Sequence, residues 1–223
     1  MRVLAVDTST PAITAGVVEC DGGGAVTLLA QHTRDDAFGH AEHLMPLVRA
    51  ALTDAGTALS DLDAIVVGLG PGPFTGLRVG IATAAALGDG LGVPVHGVGS
   101  HDAMAGLDNV LVATDARRRE VHLSAHAGGR LVAGPEPVKP ADAAAWLAEQ
   151  AVTATAVTGA GAELISDLIG LPAVPATEPL AAGLVRQAAA ELVGHRPPSP
   201  PVPLYLRRPD ATEPTAPKAV LPS

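Results

Sequence analysis

The run Gly70-Pro71-Gly72-Pro73-Phe74-Thr75-Gly76-Leu77-Arg78 joins an apolar strand-like segment, Ala64 to Leu69, to a helix built of small residues. Gly70, Gly72 and Gly76 open backbone angles closed to other residues, the prolines stiffen the turn, and Thr75 is suited to cap a helix starting near Gly76. Such a loop presents backbone N–H groups to an anion at a positive helix end, with Arg78 in the first turn. A tight strand-to-helix crossover with no ligand uses the same residues, and no Gly-Lys-Ser/Thr follows to make a Walker A sequence. The second candidate is the amino terminus, where Arg2 to Val6 reads as a buried strand delivering Asp7-Thr8-Ser9-Thr10 to its C-terminal end. Open α/β sheets collect ligands at that end. An acid followed by hydroxyls suits a nucleotide phosphate and its metal; it equally suits an ordinary turn in which these side chains bond the nearby backbone.

The elements that must carry these residues occur twice. Asn109 to Asp115 is a second apolar strand ending in an acid. Ala12 to Val18 and Ala25 to Gln31 flank Asp21-Gly22-Gly23-Gly24, and Glu120 to His126 and Arg130 to Ala133 flank Gly128-Gly129; both are hairpin patterns. After the first hairpin come a helix His40 to Gly56, the strand Ala64 to Leu69, a helix Gly76 to about Gly90 and a strand Val93 to Val98. After the second come helical Pro140 to Gln150, a strand Thr153 to Thr158, and helical Glu163 to Ile169 and Leu180 to Val193. The expected fold class is α/β, with two related subdomains over residues 1–100 and 101–208 meeting at a cleft. A C-terminal helix around 180–194 is free to pack back on the first subdomain. Residues 209–223 read as a disordered tail beyond the stiff Pro197 to Pro203 segment.

The 223-residue chain is 48% hydrophobic and 2% aromatic, so its cores must be built from Ala, Val and Leu, with Trp146 a lone large anchor. A formal net charge of −9 argues against holding nucleic acid unaided. The basic cluster Arg117-Arg118-Arg119 is either a solvated turn or a local contact for an anion or partner. No apolar run approaches the roughly 20 residues of a membrane span and no signal-peptide pattern opens the chain, so a soluble cytoplasmic protein is expected. Cys20 is the single cysteine, which excludes an intrachain disulfide and a cysteine metal cluster. His40 with His43, and His122 with His126, could share faces, yet neither pair has a HExxH arrangement or a third ligand, and no metal site is expected. Ser9, Ser100 and Ser124 lack a nucleophile-elbow sequence.

Two helices bear on assembly. Leu44, Leu47, Val48, Ala51, Leu52 and Ala55 form an apolar stripe on the first, where Pro46 is expected to kink or restart the first turn. Gly76, Gly80, Ala84 and Gly88 recur every four residues along the second, and Val79, Ile81, Thr83 and Leu87 leave it little polar surface. Packing on the sheet and contact with another subunit both fit this pattern.

The blocks Leu4-Ala5-Val6-Asp7-Thr8-Ser9-Thr10, Gly68 to Arg78, Asp115-Ala116-Arg117 with Glu120-Val121, and Pro203-Leu204-Tyr205-Leu206-Arg207 stand in a characteristic order and spacing. Over residues 1 to about 208 the chain resembles the bacterial TsaB (YeaZ-type) family. The glycine-proline block is the most specific part; the Asp-Thr-Ser-Thr strand is shared with actin-like and sugar-kinase-like folds. The resemblance implies two RNase H-like subdomains of the actin/Hsp70/sugar-kinase type. It also implies a non-catalytic scaffold role in making N6-threonylcarbamoyladenosine next to the anticodon of tRNA. The implied partners are a TsaD-like catalytic subunit and a TsaE-like ATPase, with homodimers when the chain is alone, tRNA met only through the complex, and no membrane contact.

Carried onto this sequence, the implied partner surface comprises Leu44, Leu47, Val48, Ala51, Leu52, Gly76, Gly80, Thr83, Ala84 and Leu87. Implied nucleotide or partner contacts are Asp7, Thr8, Ser9, Thr10, Gly70, Gly72, Thr75, Gly76 and Arg78. No tightly bound cofactor is expected, with ATP or ADP and Mg entering only in the assembled complex. The catalytic relative's His-x-x-x-His metal motif is one residue short here, at His40-x-x-His43, so no catalytic residue is assigned. The alternative is an autonomous enzyme of the same fold, a nucleotide phosphohydrolase using Asp7, Asp115 and the glycine loop, or a peptidase M22-like metallopeptidase.

Overall fold

The structure, a computed structural model, describes residues 1–150, 152–176, 180–198 and 200–206. Its elements are β1 (Arg2–Asp7), β2 (Ala12–Cys20), β3 (Val26–Asp35), α1 (His40–Asp54), β4 (Ala64–Gly68), α2 (Phe74–Leu91) and β5 (Val95–Val98). They continue as α3 (Ser100–Ala105), β6 (Val110–Asp115), β7 (Val121–Ala127), β8 (Arg130–Val138), α4 (Ala143–Gln150), β9 (Ala156–Thr158), α5 (Ser166–Ile169) and α6 (Leu180–Val193). One sheet has the order β3-β2-β1-β4-β5 and the other β8-β7-β6-β9. In each, a hairpin-linked antiparallel set is extended by parallel strands, β4 and β5 in the first and β9 in the second.

Strand periodicity sets the layers. Successive side chains of β1 point to opposite faces: Val3 and Ala5 join the core beneath α6, whereas Leu4 and Val6 join the core beneath α1 and α2. Both faces of the first sheet are therefore covered, and Val3 to Val6 of β1 and all of β4 are apolar. The second sheet differs between its faces. Leu111, Ala113, Val121, Leu123 and Ala125 pack with Trp146 and Ile165 on one side, while Thr114, His122, Ser124 and His126 alternate with them on the other.

Several elements depart from the sequence expectation for identifiable reasons. α2 begins at Phe74, and Thr75 lies exposed in its first turn without capping it, because Pro73 already supplies the extended residue before the helix. α1 runs unbroken through Pro46; Pro46 is exposed, so water can serve the carbonyl freed one turn earlier. β8 extends to Val138 through Pro135 and Pro137, which an edge strand tolerates. The expected helix 163–169 divides into a 3-10 turn, Ala162–Leu164, and α5. α3 had no counterpart in the sequence reading. The expected tail, 209–223, lies outside the described residues.

Candidate functional site

The end of β1 is closed. Asp7 is 0% exposed. Its Oδ1 accepts hydrogen bonds from the Ser9 N–H at 2.7 Å and the Ser9 hydroxyl at 2.6 Å, and its Oδ2 accepts from the Ser100 hydroxyl at 2.5 Å. Burial pushes the Asp7 pKa up, opposed by the bonds from Ser100 and Ser9 and by His40. Thr8 donates its hydroxyl to the Gly76 carbonyl at 2.7 Å and accepts the Gly80 N–H at 3.1 Å. The ring of His40 donates from Nε2 to the Thr10 carbonyl at 3.0 Å. Gly70 donates its N–H to Ser100 Oγ at 3.1 Å.

Lack of side chains lets the end of β4, the loop after it and α2 lie directly on this strand end. A Cβ at Gly68 would overlap Asp7 Oδ2, one at Gly72 the Ser9 carbonyl, and one at Gly80 the Thr8 hydroxyl. The structure thus brings Asp7, Thr8, Ser9, Gly70, Gly72 and Gly76 together, with Asp7, Thr8 and Ser9 buried and the half-buried Gly72 and buried Gly76 at the edge of the adjacent cleft. Thr10 is buried beside them. Arg78 is exposed but engaged: its Nε–H donates to the Tyr205 hydroxyl at 3.0 Å, and its guanidinium lies 3.7 Å from the Phe74 ring centre. Phe74 and Tyr205 rings lie 4.8 Å apart, and the Leu204 N–H donates to the Leu69 carbonyl at 2.8 Å. The 203–206 segment is thereby pinned across the start of α2.

Beside the closed strand end, between the two sheets, lies a cleft of about 470 Å³. Phe38 and His40, the first turn of α2, and Asp115, Arg117, Arg118, His122 and Tyr205 line it. Gly72, Thr75 and Gly76 line this cleft, whereas Asp7, Thr8, Ser9, Thr10 and Gly70 do not. From sequence, Ser100 is weighed only as a nucleophile, its place on Asp7 is not foreseen, and Phe38 is missed. Ser100 follows a strand in a Val-Gly-Ser turn, a weak signal, and Phe38 carries none beyond its rarity in this chain.

The polar face of the second sheet meets α3 through buried histidines. His101 exchanges hydrogen bonds with Ser124 Oγ at 2.7 Å and Thr114 Oγ1 at 2.9 Å, and His126 donates to Asp102 Oδ1 at 2.9 Å. Burial drives the His101 pKa well below 6.5, helped by His122 and His126; burial lowers that of His122 too, against the pull of Asp115. Unfolded histidines take up protons near pH 6.5 and these folded ones only at lower pH, so their contribution is complete above pH 6.5 and lost as pH falls below it. Each costs about 1.4 kcal/mol per pH unit until its folded pKa is reached. Urea midpoints should fall as pH is lowered from about 6.5 to 5.5 and stay level above it, and His101→Gln should flatten that dependence by about one histidine's share.

Among the described residues, no group of three or more His, Cys, Asp or Glu side chains is placed to hold a metal ion. His43 pairs with Asp36 at 3.2 Å, His126 bonds Asp102, and His122 lines the cleft. Cys20 is buried in the first core, with its thiol pKa raised by that burial. No described helix is long and apolar enough to cross a membrane.

The expected partner surface is corrected in part. Leu44, Val48, Ala51, Leu52, Gly76, Gly80 and Ala84 are buried within the chain itself, because the stripes that contain them cover the sheet. Leu47, Thr83 and Leu87 are half-buried at the edges, and the outward face of α2 carries Ala82, Ala85 and Ala86.

Comparison with known proteins adds an independent line. A family model described as TsaD, tRNA N6-adenosine threonylcarbamoyltransferase, matches residues 33–193. An uncharacterized Mycobacterium leprae protein is 48% identical over 96% of this chain and 57% of its own length. The Escherichia coli tRNA threonylcarbamoyladenosine biosynthesis protein TsaB is 37% identical over 55% of this chain and 53% of its own length, so the match spans about half of it. The solved structure of YeaZ from Pseudomonas aeruginosa aligns with a TM-score of 0.68 and 28% identity over 92% of this chain and 99% of that one.

Proposed function

The chain belongs to the TsaD family as a TsaB (YeaZ-type) member with two RNase H-like subdomains, and on that premise we propose that it is a non-catalytic subunit of the assembly that makes N6-threonylcarbamoyladenosine in tRNA. The observation that carries the reading is the closed end of β1. In a kinase-like fold an acid at this position would reach toward a metal–nucleotide. Here both Asp7 oxygens are occupied by Ser9 and Ser100, and the glycine loop rests on the strand without intervening space. These residues do not fit a metal–nucleotide, and no chemical step is assigned to them. A fold shared with catalysts does not confer catalysis, which depends on the site.

In this reading a TsaD-like subunit supplies the transfer chemistry and docks on the outward face of α1 and α2. A TsaE-like ATPase joins the pair in the cytoplasm, bringing ATP or ADP and Mg with it. Alone, the chain uses the same face to form homodimers. The flat alanine surface of α2, flanked by Leu47, Thr83 and Leu87, supports close helix approach.

The test is reconstituted threonylcarbamoyl transfer to tRNA with the TsaD-like and TsaE-like proteins of the same organism, with and without this chain. Transfer should require the chain, and the chain alone should show neither transfer nor ATP hydrolysis above an Asp7→Asn control. Equal transfer in its absence, or Asp7-dependent hydrolysis by the chain alone, would overturn the assignment.

A further inference from the structure

We propose that the mouth of the cleft is an RNA-binding surface, on which the Arg117–Arg119 turn takes backbone phosphates and Phe38 stacks an unpaired base. Which RNA is bound, a tRNA, rests on the proposed function; the surface itself rests on four features of the structure.

The first is backbone geometry. Arg117, Arg118 and Arg119 adopt φ of 59°, 54° and 62° in succession, a left-handed conformation that strains any L-residue and suits glycine. The turn is held there by the Arg117 N–H donating to Asp115 Oδ1 at 2.8 Å and the Glu120 N–H donating to the Arg117 carbonyl at 3.0 Å. All three side chains are exposed. A turn whose backbone favours glycine but whose side chains are three guanidinium groups is explained by what those groups touch.

The second is Phe38, 91% exposed in a chain with 2% aromatic residues. Its loop is ordered by Asp36, whose Oδ1 accepts the N–H groups of Phe38 at 3.0 Å and Gly39 at 2.8 Å. The ring contributes nothing to the core and lines the same cleft as Arg117 and Arg118. The third is His122, which lines the cleft at 6% exposure with Nδ1 lacking a hydrogen-bond partner. The fourth is α2, whose N-terminus opens on the cleft with no side-chain cap, leaving its N–H dipoles for an anion.

Guanidinium groups beside an exposed ring are the combination that single-stranded RNA uses, phosphate on charge and base on π-face. An acidic peptide would use the arginines and leave Phe38 without a role. Asp115 is the acid that lines the cleft, and with the net charge of −9 it keeps affinity low unless a partner adds contacts. The surface therefore works as an aligning contact within an assembly.

The test uses the full chain together with its TsaD-like partner and a fluorescently labelled tRNA transcript, titrated by anisotropy over a range of KCl. The Arg117→Gly/Arg118→Gly/Arg119→Gly variant should melt no lower than wild type and still co-elute with the partner. It should bind tRNA at least roughly tenfold more weakly, with a log K against log salt slope shallower by about 2. Phe38→Ala should lose roughly five- to a hundredfold in affinity with the slope unchanged. Unchanged affinity and slope in these folded variants would overturn the proposal. So would loss of the partner with tRNA binding retained, which would make the turn a protein contact. Full displacement of tRNA by free AMP from wild type, but not from the triple variant, would make the cleft a mononucleotide pocket instead. If no partner complex forms, the proposed function fails, and the same titration of the chain alone at low salt still decides the surface.

Discussion

Gly68→Ala should cost at least about 3 kcal/mol of folding stability, and Gly72→Ala a similar amount, although each adds a single methyl group. The new carbon at position 68 would overlap Asp7 Oδ2 and approach Ser100 Oγ to 2.7 Å. The carboxylate cannot retreat. Its Oδ1 is held by two donors from Ser9 and its Oδ2 by Ser100, and the group is wholly buried. Moving it exchanges satisfied, charge-bearing hydrogen bonds for an under-bonded buried acid, the most expensive kind of loss in a protein interior. At position 72 the obstacle is the Ser9 carbonyl, which can move only with the strand. Gly22→Ala, with nothing within 4 Å of the added carbon, should stay within about 0.5 kcal/mol of wild type. Urea denaturation with matched m-values measures all three. Gly68→Ala and Gly72→Ala proteins as stable as the Gly22→Ala control would show that β4 and the loop after it do not rest on the end of β1, and the argument from a closed site would fall with them.

This closure marks the boundary of what the sequence could disclose. Strand and helix placement follows from short-range pattern, and the duplicated hairpins, the buried strand Arg2 to Val6 and the long α6 were all legible from it. The relation of Gly68 to Asp7 is not local: sixty-one positions separate them. A glycine loop that cradles phosphate and one that seals a strand end have the same composition, and only the distance between loop and strand distinguishes them. α3 was missed for a related reason. Its six residues, Ser100–Ala105, carry His101 and Asp102, whose role is to meet Ser124, Thr114 and His126 on the other sheet. Without those partners the segment has no amphipathic pattern to read. Burial was likewise ambiguous on α2, where apolar stripes face the sheet on one side and solvent on the other.

Arginine placed at Ala84 and at Ala86 should separate those two faces of α2 by opposite failures. Ala84 lies at 0% exposure in the core that contains Leu4, Val6, Leu44 and Val67. A guanidinium there has no acidic partner and no room, so the combined cost of overpacking and an unpaired buried charge, several kcal/mol or more, consumes most of a stability of about 5–15 kcal/mol. Ala84→Arg should be insoluble or lack a cooperative melt. Ala86 is exposed two positions along the same helix, and Ala86→Arg should melt within a few degrees of wild type. If the outward face is the proposed partner surface, the same charge is buried only on association, and affinity for the TsaD-like subunit should fall by roughly a hundredfold. Circular dichroism and analytical gel filtration with the partner read both outcomes. A folded Ala86→Arg protein that binds at full strength would move the interface off α2. A folded Ala84→Arg protein would mean that α2 does not pack on its sheet through this stripe, and both the core and the proposed surface would have to be reassigned together.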